Sequence, residues 1–125
     1  MPAQNKIDMI QSDRMEMFSG TFDVIYSNPP YIKKKSDFEN VHVQVAKYEP
    51  ELALFLEDNE YEQWFEVLFK QVDQLLVAGG FFLMEGHEKH LELLLNKIKK
   101  SFPCQGELIK DLTGRNRILK IRRYG

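Results

Sequence analysis

Twice in the second half of the chain, apolar positions recur with the period of a helix, and each time a strand-like apolar run follows. Tyr61, Trp64, Phe65, Leu68, Val72, Leu75 and Leu76 fall on one face at helical spacing, which predicts an amphipathic helix with its aromatics in the core. Asp58 or Asn59 stands where an N-cap is wanted, and Gly79-Gly80 is expected to stop the helix. Phe81-Phe82-Leu83-Met84-Glu85 reads as a buried strand ending in an acid and Gly86. A second helix follows, with Leu91, Leu94, Leu95 and Ile98 inward, cationic Lys97, Lys99 and Lys100 near its end, and Pro103 closing it. Glu107 to Leu112 and Ile118 to Arg122 then read as an antiparallel hairpin around Thr113-Gly114-Arg115-Asn116. Strands alternating with helices argue for an α/β sheet.

The first half is punctuated differently. Ile7 to Asp13 reads as a short strand ending in Ser12-Asp13, and Arg14 to Gly20 as a turn. The stretch Phe22-Asp23-Val24-Ile25-Tyr26-Ser27-Asn28-Pro29-Pro30-Tyr31 reads as a buried strand that halts at a rigid polar tip. Each proline fixes its own φ and removes an N–H, and the residue before a proline is held extended. The carbonyls of that tip are left free to accept, and Asn28 adds an acceptor and two donors. Tyr31 adds a flat face and a hydroxyl. Such a set suits a planar group bearing an –NH2, an amide or the edge of a nucleobase. Ligands of open α/β sheets bind at the carboxyl ends of strands, where Asp13, Asn28 and Glu85 are expected. From Lys33 to Tyr48 the chain is polar, a long loop with some helix, and Leu52 to Leu56 form a small apolar knot.

Composition narrows the classes. The chain has 125 residues, one small domain at most. Seventeen basic against nineteen acidic residues give a net charge of −2, with no push toward nucleic acid. A single Cys104 rules out an internal disulfide and fits a reducing compartment. No apolar run reaches the roughly 18 residues of a membrane span, and the start lacks a signal-peptide core, so a soluble cytoplasmic protein is expected. Lys33-Lys34-Lys35 reads as a solvated loop, with steering of an acidic partner as the alternative. His87 and His90 sit three apart, but no third or fourth ligand accompanies them, so no metal is expected.

The order of these features carries a resemblance. Ser12-Asp13 precedes the Asn28-Pro29-Pro30-Tyr31 tip. Tyr48-Glu49-Pro50 with Leu52-Ala53-Leu54, Gly79-Gly80 before a strand ending Glu85-Gly86, and Asp111-Leu112 with Gly114-Arg115 and Arg117 follow. The chain resembles the catalytic domain of the HemK/PrmC family, the protein-(glutamine-N) methyltransferases that act on the Gly-Gly-Gln loop of peptide chain release factors. Asn-Pro-Pro-Tyr alone is shared with adenine methyltransferases. The Glu-Pro and Asp-Leu…Arg elements favour the glutamine enzymes.

The resemblance implies a partial Rossmann-like, S-adenosylmethionine-dependent methyltransferase fold, with residues 1–125 the C-terminal portion of the catalytic domain. Its first strands and its Gly-rich cofactor loop are missing, since none of the seven glycines forms G-x-G. It implies catalytic and substrate-binding roles for Asn28, Pro29, Pro30 and Tyr31, and S-adenosylmethionine binding by Asp13, Arg14 and Asn28. The family usually carries an apolar or aromatic residue where Arg14 stands. A release factor is the implied protein partner, with no membrane or nucleic acid. Two alternatives stand beside this reading: an adenine amino-methyltransferase of DNA or RNA, and a non-catalytic fragment that self-associates through an exposed sheet edge.

Overall fold

The computed structural model describes residues 7–29, 32–33 and 55–125. The Tyr48-Glu49-Pro50 and Leu52-Ala53-Leu54 elements lie outside the described residues, as do Pro30, Tyr31 and the polar connection after Lys33. Strand β1 (Phe22–Ser27) leads to a two-residue strand, β2 (Ile32–Lys33), which pairs in parallel with β3 (Phe55–Leu56). A 3-10 turn, Asp58–Glu60, runs into helix α1 (Tyr61–Leu75). Strand β4 (Leu76–Glu85), helix α2 (Leu91–Ser101), and strands β5 (Cys104–Lys110) and β6 (Asn116–Arg123) complete the order.

The main sheet has the order β1-β4-β6-β5, with β1 parallel to β4 and the other neighbours antiparallel. The expected α/β sheet ending in an antiparallel hairpin is therefore present. Helix α1 buries Tyr61, Phe65, Leu68, Phe69, Val72 and Leu75 along one stripe, and α2 buries Leu91, Leu94 and Ile98. These side chains form one core with Ile25, Phe82, Met84, Leu119 and Ile121. Ile25 pairs with Phe82, Phe82 with Ile121, and Met84 with Leu119. Opposed residues in a sheet point to one face, so both helices cover the same side. The other side carries Val24, Tyr26, Phe81, Leu83, Ile118 and Lys120, none of them fully buried. Lys120 and Arg122 lie over the Phe81 ring at 5.4 and 5.9 Å, a cation–π arrangement on this face.

The stretch from Phe22 is a strand as expected but not a buried one, since only Ile25 of β1 is buried, and three further sequence expectations are corrected. Ile7 to Asp13 is not a strand: Ile7 is 89% and Met9 95% exposed, and residues 7–12 have no ladder partner among the described residues. An apolar-polar alternation needs a neighbouring strand before it becomes one. Gly79-Gly80 does not stop α1. The helix ends at Leu75, where extended Leu76 donates its N–H to the Val72 carbonyl, and the chain turns directly into β4. The glycines serve the sheet instead. Phe22 pairs with Leu76 while Val24 already pairs with Phe81, so β4 bulges between them. Gly79 takes a φ of +77° in that bulge, and a Cβ on Gly80 would stand 2.9 Å from the Asp23 carbonyl oxygen. Third, neither Asp58 nor Asn59 caps α1. Both lie in the 3-10 turn, and the cap position falls to Glu60 with no side-chain hydrogen bond.

Candidate functional site

The carboxyl ends of β1 and β4 lie side by side, and the turn between β5 and β6 sits at the same end of the sheet because Glu85 pairs with Ile118. The Asn28-Pro29 tip leaves β1 there. Asn28 is exposed and Pro29 buried, so the tip is anchored by its proline and presents the amide of Asn28 to solvent. Beside it opens a cleft of about 350 Å³, lined by Ser27, Asn28 and Pro29 from the tip, by Arg14, Met15 and Phe18 from the preceding turn, and by Trp64 and Leu68 of α1.

Arg14 is the bracket that holds the turn on the helix. Its guanidinium donates from Nη1 to the Trp64 carbonyl at 3.0 Å and from Nη2 to Asp13 Oδ2 at 3.0 Å, and it stacks over the Trp64 ring at 4.9 Å. The side chain is 15% exposed, and its buried Nε has no hydrogen-bond partner among the described residues. Its backbone takes a φ of +55°, the left-handed region that costs a side-chain-bearing residue energy. Met15 N–H donates to Gln71 Oε1 at 3.0 Å, and Met17 N–H to Ser12 Oγ at 2.9 Å. The turn is thus fixed by the Trp64 carbonyl and the Gln71 side chain of α1 and by its own first residues, with no sheet partner among the described residues.

A second polar contact joins the two strand ends. Tyr26 O–H donates to Glu85 Oε2 at 2.5 Å. That hydrogen bond raises the Tyr26 hydroxyl above its ordinary pKa, with desolvation and the nearby carboxylate charge adding to it. At the hairpin turn, Asp111 Oδ1 accepts from Thr113 N–H (2.8 Å), Thr113 O–H (2.6 Å) and Arg115 N–H (3.2 Å), while Oδ2 accepts from Arg117 Nε at 3.3 Å. These bonds, the Thr113 hydroxyl foremost, hold the Asp111 carboxyl at about 2. The Asp111-Leu112…Gly114-Arg115…Arg117 element builds this turn.

Of the residues singled out in the sequence, Asn28, Pro29 and Arg14 come together in one cleft. Asp13 lies next to it, 62% exposed and paired with Arg14. It stands in a turn, not at a strand end as expected. Pro30 and Tyr31 lie outside the described residues. Trp64 was assigned to the core with the other aromatics of α1, yet it is half-buried and forms a cleft wall. On the helix it precedes Phe65 at the margin of the buried stripe, which is the sequence signal for a boundary position. The Tyr26–Glu85 contact had no such signal, because it depends on the register of two distant strands.

No family model matches the chain. It is 29% identical over 119 residues to the release factor glutamine methyltransferase of Lactococcus lactis, covering 95% of this chain and 44% of that protein. It is 36% identical over 107 residues to the release factor glutamine methyltransferase of Clostridium botulinum, covering 82% of this chain and 36% of that protein. Among solved structures, a release-factor-specific protein-(glutamine-N5) methyltransferase from Alicyclobacillus acidocaldarius covers 90% of this chain and 86% of its own, with 14% identity and a TM-score of 0.40. The resemblance read from the motif order is borne out in sequence: over most of its length this chain is similar to release factor glutamine methyltransferases, and it spans less than half the length of those curated relatives.

Proposed function

We propose that this chain supplies the substrate-amide side of a methyltransferase site, acting on the side-chain amide of the glutamine in the Gly-Gly-Gln loop of peptide chain release factors. The observation that carries the reading is the placement of Asn28-Pro29 at a strand's carboxyl end, opening on a cleft walled by Trp64 and Arg14. The names of the relatives supply the reaction.

An amide nitrogen is a poor nucleophile because its lone pair is delocalised into the carbonyl. In the proposed mechanism the Asn28 side-chain oxygen and the Pro29 carbonyl accept hydrogen bonds from the substrate –NH2. Acceptors fixed along those N–H directions favour the pyramidal nitrogen that forms as the new bond is made. Proline rigidity means that these acceptors need not be reorganised at that moment. Tyr31 would pack on the planar amide.

S-adenosylmethionine, when bound, supplies the methyl group. The residues present fit it in part. Phe18 and Trp64 offer flat apolar walls to a planar base, and Arg14 and Asn28 in the cleft, with Asp13 beside it on Arg14, are the groups that would hold it. No glycine lines the cleft among the described residues, so nothing there cradles the rest of the cofactor by backbone alone.

The test is a chimera in which this chain replaces the matching stretch of the Lactococcus lactis relative. Transfer of a labelled methyl group to a release factor is expected, with the label located on the glutamine amide by mass spectrometry. Asn28→Ala in the chimera should cut the rate about 10²-fold, the scale of losing one oriented transition-state contact. A folded chimera that labels adenine in nucleic acid, or that keeps its rate without Asn28, would overturn the reading.

A further inference from the structure

The turn between β5 and β6 holds the end of β4 as well as itself. Closing the turn uses one carboxylate oxygen, since Asp111 Oδ1 accepts from Thr113 and from Arg115 N–H. The other oxygen, Oδ2, accepts from Arg117 Nε, inside β6. Strand β4 ends against Arg117: the Arg117 carbonyl accepts the Gly86 N–H at 2.9 Å, and Ile118 pairs with Glu85. On its other side Gly86 is backed by the core, because a Cβ there would overlap the fully buried Leu91. Glu85 in turn accepts from Tyr26 O–H, and Tyr26 stands two residues before Asn28. Each link is a contact between described residues, and none requires an open surface.

We infer that Asp111 and Arg117 are positioning residues for Asn28, acting through Glu85 and Tyr26 across two strand spacings, roughly 10 Å. The inference rests on the role proposed above for Asn28. An oriented acceptor contributes to rate only as far as it is fixed before the substrate arrives. The Tyr26–Glu85 bond adds to the ladder in fixing the tip of β1, and it does so only as firmly as Glu85 itself is held. Glu85 is the last residue of β4, and the ends of elements are where local opening starts. The Arg117 carbonyl closes that end, and the Asp111 carboxylate fixes Arg117. A turn that served only the hairpin would need no more than the bonds to Oδ1. The bond from Oδ2 is directed instead to the residue that carries Gly86.

Amide hydrogen exchange of the 125-residue chain is the first test, with Arg117→Met, which removes the bond to Asp111 and keeps an unbranched side chain. Exchange at Gly86 and from Tyr26 to Asn28 should quicken about 10-fold, the scale on which losing one hydrogen bond to a charged group shifts a local opening. Phe69 and Val72, buried in α1, should keep their parent rates. Arg117→Lys, which restores a cationic donor, should return the strand ends toward the parent. Unchanged exchange from Tyr26 to Asn28 overturns the inference. So does quickening at α1 and the strand ends together, which is what a merely structural role would give. In the chimera, Arg117→Met should lower kcat roughly 10-fold at unchanged KM for the release factor, within the 10²-fold that a 1 Å displacement can cost. Tyr26→Phe added to it should cost little more, because both act through Glu85. Fully additive losses, or a loss expressed in KM, overturn the route through Glu85. A parent chimera that transfers no methyl group refutes the proposed function, and the exchange rates then decide by themselves whether the hairpin positions the tip.

Discussion

Arg14 should invert the usual ranking of alanine and glycine. In regular structure glycine is the worse of the two by roughly 0.5–1 kcal/mol, because it loses more backbone freedom on folding. At φ +55° the balance changes, since a Cβ in the left-handed region costs roughly 1–2 kcal/mol. Either substitution removes the same side-chain contacts. The charged hydrogen bond to the Trp64 carbonyl is worth ~1.5–3 kcal/mol. The stack on the indole adds ~0.5–1, and the exposed pair with Asp13 very little. Against these stands the buried Nε, which has no partner among the described residues and whose desolvation costs ~1–3 kcal/mol and disappears with the side chain. The sum leaves Arg14→Ala about 1 kcal/mol below the parent. Arg14→Gly then lies near the parent and about 1 kcal/mol above the alanine variant. For a domain of this size that gap is ~3–5 °C in Tm. Urea denaturation followed by tryptophan fluorescence is a suitable assay, because Trp64 is the only tryptophan and lies under Arg14. An alanine variant as stable as the glycine variant, or more so, would refute both the left-handed turn and the balance built on it.

Asp111 gives a pH-dependent expectation. Its folded carboxyl sits at about 2, below its ordinary value of 3.8, so its contribution to stability is complete above that ordinary value and is lost as pH falls through about 2. Asp111→Asn should flatten the loss of stability between those values in acid unfolding curves, leaving the neutral-pH variant less stable than the parent. At Gly86 an added Cβ would meet the Leu91 side chain, which the core holds in place, so Gly86→Ala should cost ~1–3 kcal/mol by urea denaturation. Leu91→Ala in the same background should recover part of that overpacking, read as a coupling energy in a double-mutant cycle. Calorimetric titration of the 125-residue chain with S-adenosylmethionine should give no measurable heat, since no glycine-rich turn lines the cleft among the described residues. A micromolar dissociation constant would contradict that expectation.

How much of this was legible depended on whether an element's neighbours are local. Helix α1 was readable because Tyr61, Phe65, Leu68, Val72 and Leu75 encode their own periodicity. The hairpin of β5 and β6 was readable from Thr113-Gly114 and the alternation of Leu119 and Ile121 with Lys120 and Arg122. Even there β5 begins at Cys104, earlier than expected, because Gln105 and Gly106 carry no apolar alternation. Ile7 to Asp13 has a strand's composition without a strand's partner among the described residues, and composition cannot report the difference. Gly79-Gly80 correctly marked a special backbone. What it did not reveal was that the crowding neighbour is the Asp23 carbonyl on another strand. In the site the same division holds. Asn28-Pro29 announced itself through the chemistry of proline, whereas Trp64 as a wall and Tyr26 as a donor to Glu85 exist only through tertiary register.

That division bears on how the proposed site would work. The acceptor Asn28 is carried on β1, and among the described residues β1 is held on one edge only, by β4. On the cleft side, Arg14 and Gln71 fix the turn that faces it. On the sheet side, the Tyr26–Glu85 hydrogen bond adds to the ladder and to the packing of Ile25 in tying β1 to its neighbour. Oriented acceptors contribute to rate only as far as they are held still before the substrate arrives. Tyr26→Phe therefore tests preorganisation apart from chemistry. Tyr26 is largely exposed, so its hydroxyl contributes little to the core and the fold should survive. If the hydroxyl steadies the strand end, the chimera carrying Tyr26→Phe should lose rate while its release-factor affinity is kept. Amide exchange at Ser27 and Asn28 should quicken in step with that loss. Slower transfer with unchanged exchange at those two amides would mean that the Tyr26–Glu85 bond acts on the reaction by some route other than stiffening the tip.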